Sequence, residues 1–102
     1  MLYFSFSVKP LAPVLSVNNQ NSTLESGINI TFTCMKMEVY PMEIIVYYTF
    51  MKDSKNISYQ FSHEFTLTQV MPSNSGNYTC VATVHEVHSD DSNGHILTIL
   101  GK

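Results

Sequence analysis

The stretch NSGNYTC at residues 74–80 decides the fold of this chain. From Tyr78 to Val84 every second residue is apolar, Cys80 among them, and this alternation predicts a β-strand with one buried face. Gly76 stands just before the strand, where a residue without a side chain permits a tight bend. The stretch therefore predicts a turn that leads into a half-buried strand with an inward cysteine.

The rest of the chain repeats this pattern in short β-branched and aromatic runs, which turn residues interrupt about every 8–12 residues. No helical spacing of apolar residues is sustained. Since short antiparallel strands with one buried face each must cover one another, the pattern predicts an all-β sandwich of two sheets over residues 10–102, with residues 1–9 as a tail or interdomain linker. The seven predicted strands are Val14–Val17, Ile28–Met35, Ile44–Met51, Ile57–Phe61, Phe65–Val70, Tyr78–Val84 and His95–Leu100.

The two cysteines, Cys34 and Cys80, both fall on inward positions of these strands. Two buried free thiols, which behave as small apolar side chains, are one interpretation. The spacing typical of sandwich domains favours a disulfide instead. Such a bridge would contribute about 4 kcal/mol by restricting the unfolded chain, and it would require an oxidising compartment.

The charge balance argues against several classes of partner. The net charge is −3, the five basic residues are all lysines, and they are scattered along the chain. Nucleic acids and anionic membrane surfaces need clustered Lys and Arg, so neither is an expected partner. No run approaches the roughly 18 apolar residues of a membrane span, and residues 1–10 lack the pattern of a signal peptide. We therefore expect Met1 to be an added start residue and the leader and anchor to lie elsewhere in a longer chain.

Catalytic and metal-binding patterns are missing as well. Oxidised cysteines leave no thiol nucleophile, and neither a Gly-x-Ser-x-Gly motif nor a glycine-rich phosphate loop occurs. His85 and His88 are spaced so that on a strand they face opposite sides, and a structural zinc site needs four fixed ligands. We therefore expect no enzymatic activity, no cofactor, no metal and no small-molecule substrate.

Four Asn-x-Ser/Thr sequons predict N-glycosylation, at Asn21, Asn29, Asn56 and Asn77. The alternative is that some of them are never modified. All four are expected on the surface, and together they favour a secretory route. Because a face that carries a branched glycan cannot dock flat on a partner, the sequons also restrict where binding can occur.

The loops Glu38–Glu43 and His85–Asn93 lie at one end of the predicted sandwich, and that end has no sequon. A partner could dock there, since binding residues are often carried by loops on a rigid scaffold. The alternative is that these are ordinary loop residues. The candidate partner-binding residues are Tyr40, Pro41, Glu86 and His88.

Residues 74–80 resemble the Asp-x-Gly-x-Tyr-x-Cys signature of immunoglobulin domains, with Asn74 in place of the Asp. The resemblance implies that Tyr78 is a tyrosine corner, whose hydroxyl bonds back to the backbone. It also implies that Phe50 occupies the usual core Trp position, since the chain has no Trp. Between Met51 and Glu64 there is room for one short strand only, which indicates a C2- or I-type domain rather than a variable domain.

Three further segments are similar to the group of Fc receptors, Fc-receptor-like proteins, platelet endothelial adhesion molecule and allergin: residues 9–15 (KPLAPVL), 47–50 (YYTF) and 65–68 (FTLT). Residues 3–8 resemble the last strand of a preceding domain in that group. The resemblance implies the ectodomain of a single-pass leukocyte or mast-cell receptor that binds a protein on another cell or in solution, outside the plasma membrane, and signals through a tail not present here. Two alternatives stay open: a structural spacer, and a homophilic adhesion domain that pairs through the uncharged segment Ser58–Phe61.

Overall fold

A computed structural model describes residues 9–36 and 45–101. In these ranges the chain forms strands joined by turns, and its one helical element is the 3₁₀ turn Pro72–Asn74. No helix in the described ranges is long and apolar enough to cross a bilayer. The strands are β1 (Val14–Val17), β2 (Thr23–Glu25), β3 (Ile30–Met35), β4 (Val46–Lys52), β5 (Lys55–Gln60), β6 (Glu64–Leu67), β7 (Gly76–Val84), β8 (Val87–His88) and β9 (His95–Leu100).

These strands form two sheets. The smaller sheet has the order β1-β3-β6, and the larger has the order β2-β9-β7-β4-β5, with β8 paired to β7. Neighbouring strands are antiparallel except for β2 and β9, which run parallel. The predicted all-β sandwich of two sheets is confirmed. The single strand expected between Met51 and Glu64 is also found, as β5 at the edge of the larger sheet.

The described ranges hold nine strands, two more than the seven predicted. The additional strands, β2 and β8, have 3 and 2 residues, too few for an alternating pattern to be visible. Strand β6 ends at Leu67, earlier than predicted, because Gln69 has a φ of 48° and breaks the extended backbone. Val70, the last residue of the predicted strand, is nevertheless buried although it lies outside the observed strand.

The core lies between the sheets and is aromatic at its centre. Phe32 of the smaller sheet stacks on Tyr78 of the larger with 4.6 Å between ring centroids. The Cys34–Cys80 disulfide links β3 to β7 with 6.1 Å between Cα atoms, which confirms the predicted bridge. The other buried apolar residues of the core are Leu15, Leu24, Ile30, Tyr48, Phe50, Val70, Ala82, Leu97 and Ile99.

Two serines take the place of a paired strand beside Cys80 and Ala82 of β7. Ser92 donates its backbone N–H to Cys80 O at 2.9 Å, and its Oγ accepts from Cys80 N at 2.9 Å. Ser89 repeats this arrangement with Ala82, at 2.8 and 3.0 Å. The irregular segment that precedes β9 therefore satisfies buried backbone groups of β7 without being a strand.

Asn93 attaches that segment to the smaller sheet. Its Nδ2 donates to Leu15 O at 3.0 Å, and its Oδ1 accepts from Leu15 N at 2.9 Å. The side-chain amide thus pairs with β1 as a backbone amide would.

Candidate functional site

The outer face of the larger sheet carries the candidate site. Because side chains alternate along a strand, the inward placement of Tyr48 and Phe50 turns Tyr47 and Thr49 of β4 outward. Tyr59 of β5 is paired with Thr49 and shares its face. Tyr47 and Tyr59 are therefore diagonal neighbours on adjacent strands, within reach of each other's rings.

Three aromatic rings meet on this face, and we call Tyr47, Tyr59 and Phe61 the aromatic cluster. Tyr47 stacks on Tyr59 with ring centroids 4.8 Å apart, and it lies 4.3 Å from the ring of Phe61. Tyr59 is 59% exposed and Phe61 is 62% exposed, and nearby Ile45 is 59% exposed. Contiguous exposed apolar side chains on a soluble domain mark an interaction surface more often than isolated ones do.

Gln60 holds the end of the cluster in place. Its Nε2 donates to the carbonyl oxygens of Ser62, at 2.9 Å, and Glu64, at 2.6 Å. Its Oε1 accepts a hydrogen bond from the Ser58 hydroxyl. These bonds tighten the turn between β5 and β6, so Phe61 lies in a turn that hydrogen bonds hold in one conformation.

A groove of about 470 Å³ runs along one side of the cluster. Strands β4 and β5 supply its aromatic wall, and the end of β7 with the turn after it supplies the polar wall. The residues that line it are Ile45, Tyr47, Tyr59, Thr83, His85 and Glu86.

The polar wall is a two-residue hairpin turn with an unusual backbone. His85 and Glu86 have φ values of 51° and 66°, the left-handed conformation of a type I′ turn, which normally selects Asn and Gly. Both residues therefore carry conformational strain, which is frequent at functional sites. The turn presents the Glu86 carboxylate at the edge of the groove.

His88 lies on the same face in the next strand, with Nδ1 2.7 Å from Thr83 Oγ1. It borders a second, smaller depression of about 290 Å³. That depression continues across the outer face towards Asn56. Its lining also includes Thr49, Met51, Val81, Ser89 and Asp91.

The structure brings together only part of the predicted partner-binding set. Glu86 and His88 lie on one hairpin, and each borders a depression of the outer face. Tyr40 and Pro41 fall outside the described residues. The aromatic cluster was missed, because the prediction of Ile57–Phe61 as a strand does not say which strand pairs with it. The available signal was the period-two spacing of Tyr59 and Phe61, opposite a strand that carries Tyr47.

The four sequon asparagines are all exposed and lie towards one end of the sandwich. Asn29 directly precedes β3, and Asn77 O accepts from Asp53 N in the turn after β4. Asn56 pairs with Met51 near the end of β4, and Asn21 adjoins Ser22, whose carbonyl accepts from Thr98 N. We call this the sequon end.

The groove lies at the opposite end, the groove end, where β4 begins and Val46 pairs with Val84. The loop His85–Asn93 is nevertheless close to two of the sequons. Asn56 lines the same depression as His88, Ser89 and Asp91, and a Cβ built on Gly94 would lie 2.6 Å from Asn77 Oδ1. Whether the four asparagines carry glycans stays a prediction.

The residues of the predicted fold signature surround the disulfide. Tyr78 Oη donates to Asn74 O at 2.5 Å, the bond expected of a tyrosine corner. Burial, with a smaller contribution from the negative charge of Asp53, raises the pKa of Tyr78 to about 12. Phe50 is 2% exposed, pairs with Cys80, and stacks on Phe65 with centroids 5.4 Å apart.

Gly76 allows the side chains of the β4–β5 turn to approach β7 closely. A Cβ there would lie 2.8 Å from Asp53 Oδ2 and 2.9 Å from Lys52 Cε. Asp53 Oδ1 also accepts from Asn77 N at 2.9 Å, so a side chain at residue 76 would disturb the contact between the β4–β5 turn and β7.

In residues 9–36 and 45–101 no three His, Cys, Asp or Glu side chains are grouped in a way that would hold a metal ion. The site is instead an exposed apolar surface with an acidic edge. Its chemistry suits recognition of another macromolecule.

A family model described as immunoglobulin domain matches residues 12–83. The second Ig-C2 domain of human Fc-receptor like A superposes with a TM-score of 0.69 at 22% identity, over 88% of this chain and 98% of that one. Murine CEACAM1b gives 0.70 at 17% identity, over 90% of this chain and 46% of that one. Extracellular domains 3–5 of Drosophila OTK give 0.66 at 14% identity, over 94% and 37%. No curated protein matches the chain.

Proposed function

Since the chain belongs to the immunoglobulin domain family, we propose that it is an extracellular protein-binding domain of an immune-cell surface receptor. The proposal includes a receptor of the Fc-receptor-like or allergin-like type, anchored in the plasma membrane and signalling through a tail outside this sequence. Domains of this family are typically binding modules rather than enzymes. The disulfide and the four sequons support a secretory route and an extracellular location.

One observation carries the binding role: the aromatic cluster is exposed at the groove end, and no sequon asparagine lines the groove beside it. Tyrosine and other aromatic side chains dominate the energetic centres of protein interfaces, because they bury a large area at a small entropic cost. Rings that already contact one another lose little further freedom on binding. The cluster therefore supplies a preorganised anchor for a protein partner.

The loops beside the cluster would form the rim of this interface. Glu86 and His88 are on the hairpin that borders it, and we retain Tyr40 and Pro41 as proposed contacts from the segment that precedes β4. Alanine substitutions at Tyr40 and His88 are expected to weaken binding less than Tyr59→Ala, because rim residues contribute less than a buried aromatic anchor.

A glycan placed at the groove end tests the proposal. Glu86→Asn with His88→Thr creates a sequon on the hairpin and leaves the aromatic cluster unchanged. Fluorescent tetramers of the domain, produced in mammalian cells, are expected to stain a subset of leukocyte and mast-cell lines, and the added glycan should abolish that staining. Thr66→Asn is the matched control, because it creates a sequon with Thr68 at an exposed position of the smaller sheet.

Two outcomes would contradict the proposal. If the Glu86→Asn/His88→Thr glycoform stains as strongly as the unmodified domain, the groove end is not the binding surface. If no line in the panel is stained, the spacer role gains support.

Homophilic adhesion remains the second candidate, because β5 is an edge strand and presents the exposed ring of Tyr59. Sedimentation velocity over a hundredfold concentration range separates the two functions. Self-association that Tyr59→Ala removes would favour adhesion.

A further inference from the structure

The groove beside the aromatic cluster is lined by one carboxylate, that of Glu86, and by no Lys or Arg among its described lining residues. Asp91 lines the smaller depression beside it. The stretch between Cys80 and His95 likewise has three acids and no Lys or Arg.

From this combination, and resting on the proposed function, we infer that the groove binds a protein surface presenting an arginine or lysine between apolar neighbours. The alkyl stem and the apolar neighbours would cover the aromatic cluster, and the cationic group would reach the Glu86 carboxylate. Long basic side chains bury their stems on apolar surfaces while the charge stays near water or a counter-ion.

Two kinds of attraction converge in this arrangement. A cation over the face of Tyr59 that Tyr47 does not cover is attracted by the ring quadrupole, and arginine also stacks its planar guanidinium on such rings. The Glu86 carboxylate adds a charge-assisted hydrogen bond with a geometry that suits the guanidinium fork. An acidic partner would meet repulsion from the same carboxylate.

The charge balance also argues against a second copy as the occupant. The chain has no arginine. Lys52 and Lys55 flank the β4–β5 turn at the sequon end, Lys9 already contacts Asp90 at 2.8 Å, and the exposed Lys36 follows β3. A second copy could therefore offer the groove a lysine but no arginine. Two groove ends docked face to face would place acid against acid, which disfavours association.

Peptide binding followed by NMR tests the inference on the domain as it exists. The probe is acetyl-Leu-Arg-Leu-amide, and the matched probe replaces Arg with the neutral isostere citrulline. Titration of the ¹⁵N-labelled domain should shift the amides of Tyr47, Tyr59, Thr83 and Glu86, and the arginine peptide should bind about fivefold more tightly. Glu86→Gln should remove that preference, whereas Glu25→Gln, at an exposed acid of β2, should leave it intact.

The outcomes separate this inference from the proposed function. Equal binding of both peptides at the groove, or a preference that survives Glu86→Gln, overturns the cationic partner and leaves the binding surface standing. Shifts confined to other surfaces overturn the inference, while the cell-staining experiment still decides the proposed function on its own.

Discussion

Tyr78 has three structural roles, two of its side chain and one of its backbone. Its ring stacks on Phe32 in the core, its hydroxyl donates to Asn74 O, and its backbone pairs β7 with β9. Phenylalanine at this position would keep the ring in the core but would lose the hydrogen bond to Asn74 O. The family resemblance predicted this bond from residues 74–80 alone, because the motif is local and its partner lies four residues away.

Tyr78→Phe is expected to lower the free energy of unfolding by about 1–2 kcal/mol at pH 7, because Asn74 O loses its donor. Chemical denaturation followed by fluorescence or circular dichroism would measure this. Tyr59→Phe removes the same atom from an exposed ring and should change stability little. Equal losses in the two variants would contradict the assigned role of the Tyr78 hydroxyl.

The raised pKa of Tyr78 predicts a loss of stability in alkali. The folded state holds the phenolic proton up to about pH 12, whereas a tyrosine in the unfolded chain releases it near its ordinary value of 10.0. The folded state therefore binds more protons between these values, and stability must fall as the pH rises through this window. The difference in unfolding free energy between the wild type and Tyr78→Phe should shrink from pH 10 to pH 12, and a constant difference would contradict the shift.

Ser92 illustrates a residue whose role the sequence does not reveal. Asp90–Gly94 was predicted only as a loop, and serine is common in loops for many reasons. The bond from Cys80 N to Ser92 Oγ forms because β7 and the segment before β9 lie side by side. That arrangement is set by the tertiary structure and not by the local sequence.

Ser92→Ala is expected to cost about 1–3 kcal/mol of stability, since it leaves the buried N–H of Cys80 without its partner. Ser16→Ala, at an exposed position of β1, is the matched control and should be nearly neutral. Hydrogen exchange at the Cys80 amide would locate the effect. Unchanged protection of that amide in Ser92→Ala would contradict the assignment.

At the scale of elements, how well a strand could be predicted depended on its length. Strands β3, β4, β7 and β9 have 6 to 9 residues and a clear period of two, so the sequence alone indicated them. Strands β2 and β8 are defined by their pairing with β9 and β7, and no local sequence pattern encodes that pairing. The aromatic cluster was missed for the same reason, since Tyr47 and Tyr59 become neighbours only through the pairing of β4 with β5.

The two tight hairpins permit a comparison of strain with function. Asp53 and Ser54 join β4 to β5 with φ values of 52° and 67°, closely matching the turn at His85 and Glu86. Ser54→Gly and Glu86→Gly should each raise stability by about 0.5–1 kcal/mol, because glycine tolerates the left-handed conformation. Thermal unfolding would measure both.

Binding should separate the two variants. Glu86→Gly removes the acidic edge of the groove and is expected to weaken partner binding, whereas Ser54→Gly should leave it unchanged. A Glu86→Gly variant that is more stable and binds equally well would show that the strained turn serves no recognition role.

At the scale of the whole molecule, we expect glycans at the sequons and recognition at the groove to divide the surface. We expect the domain secreted from mammalian cells to lose mass on enzymatic deglycosylation. Asn→Gln substitution at each of Asn21, Asn29, Asn56 and Asn77 should map the occupied sites without affecting cell staining. Secretion without any glycan, or staining lost with an Asn→Gln variant, would contradict this division.

The parallel pairing of β2 with β9 has a mechanical consequence. It sets Thr23–Glu25 beside Thr98–Leu100 with both strands running the same way. If a tethered receptor is pulled by its bound partner, opposed forces on the two ends of the chain load these hydrogen bonds in shear, so that they must break together. Antiparallel neighbours pulled from the same end would open one bond at a time. The short strand β2, which is invisible to sequence patterns, would therefore act as a mechanical clamp that keeps the domain folded while a cell contact is under tension.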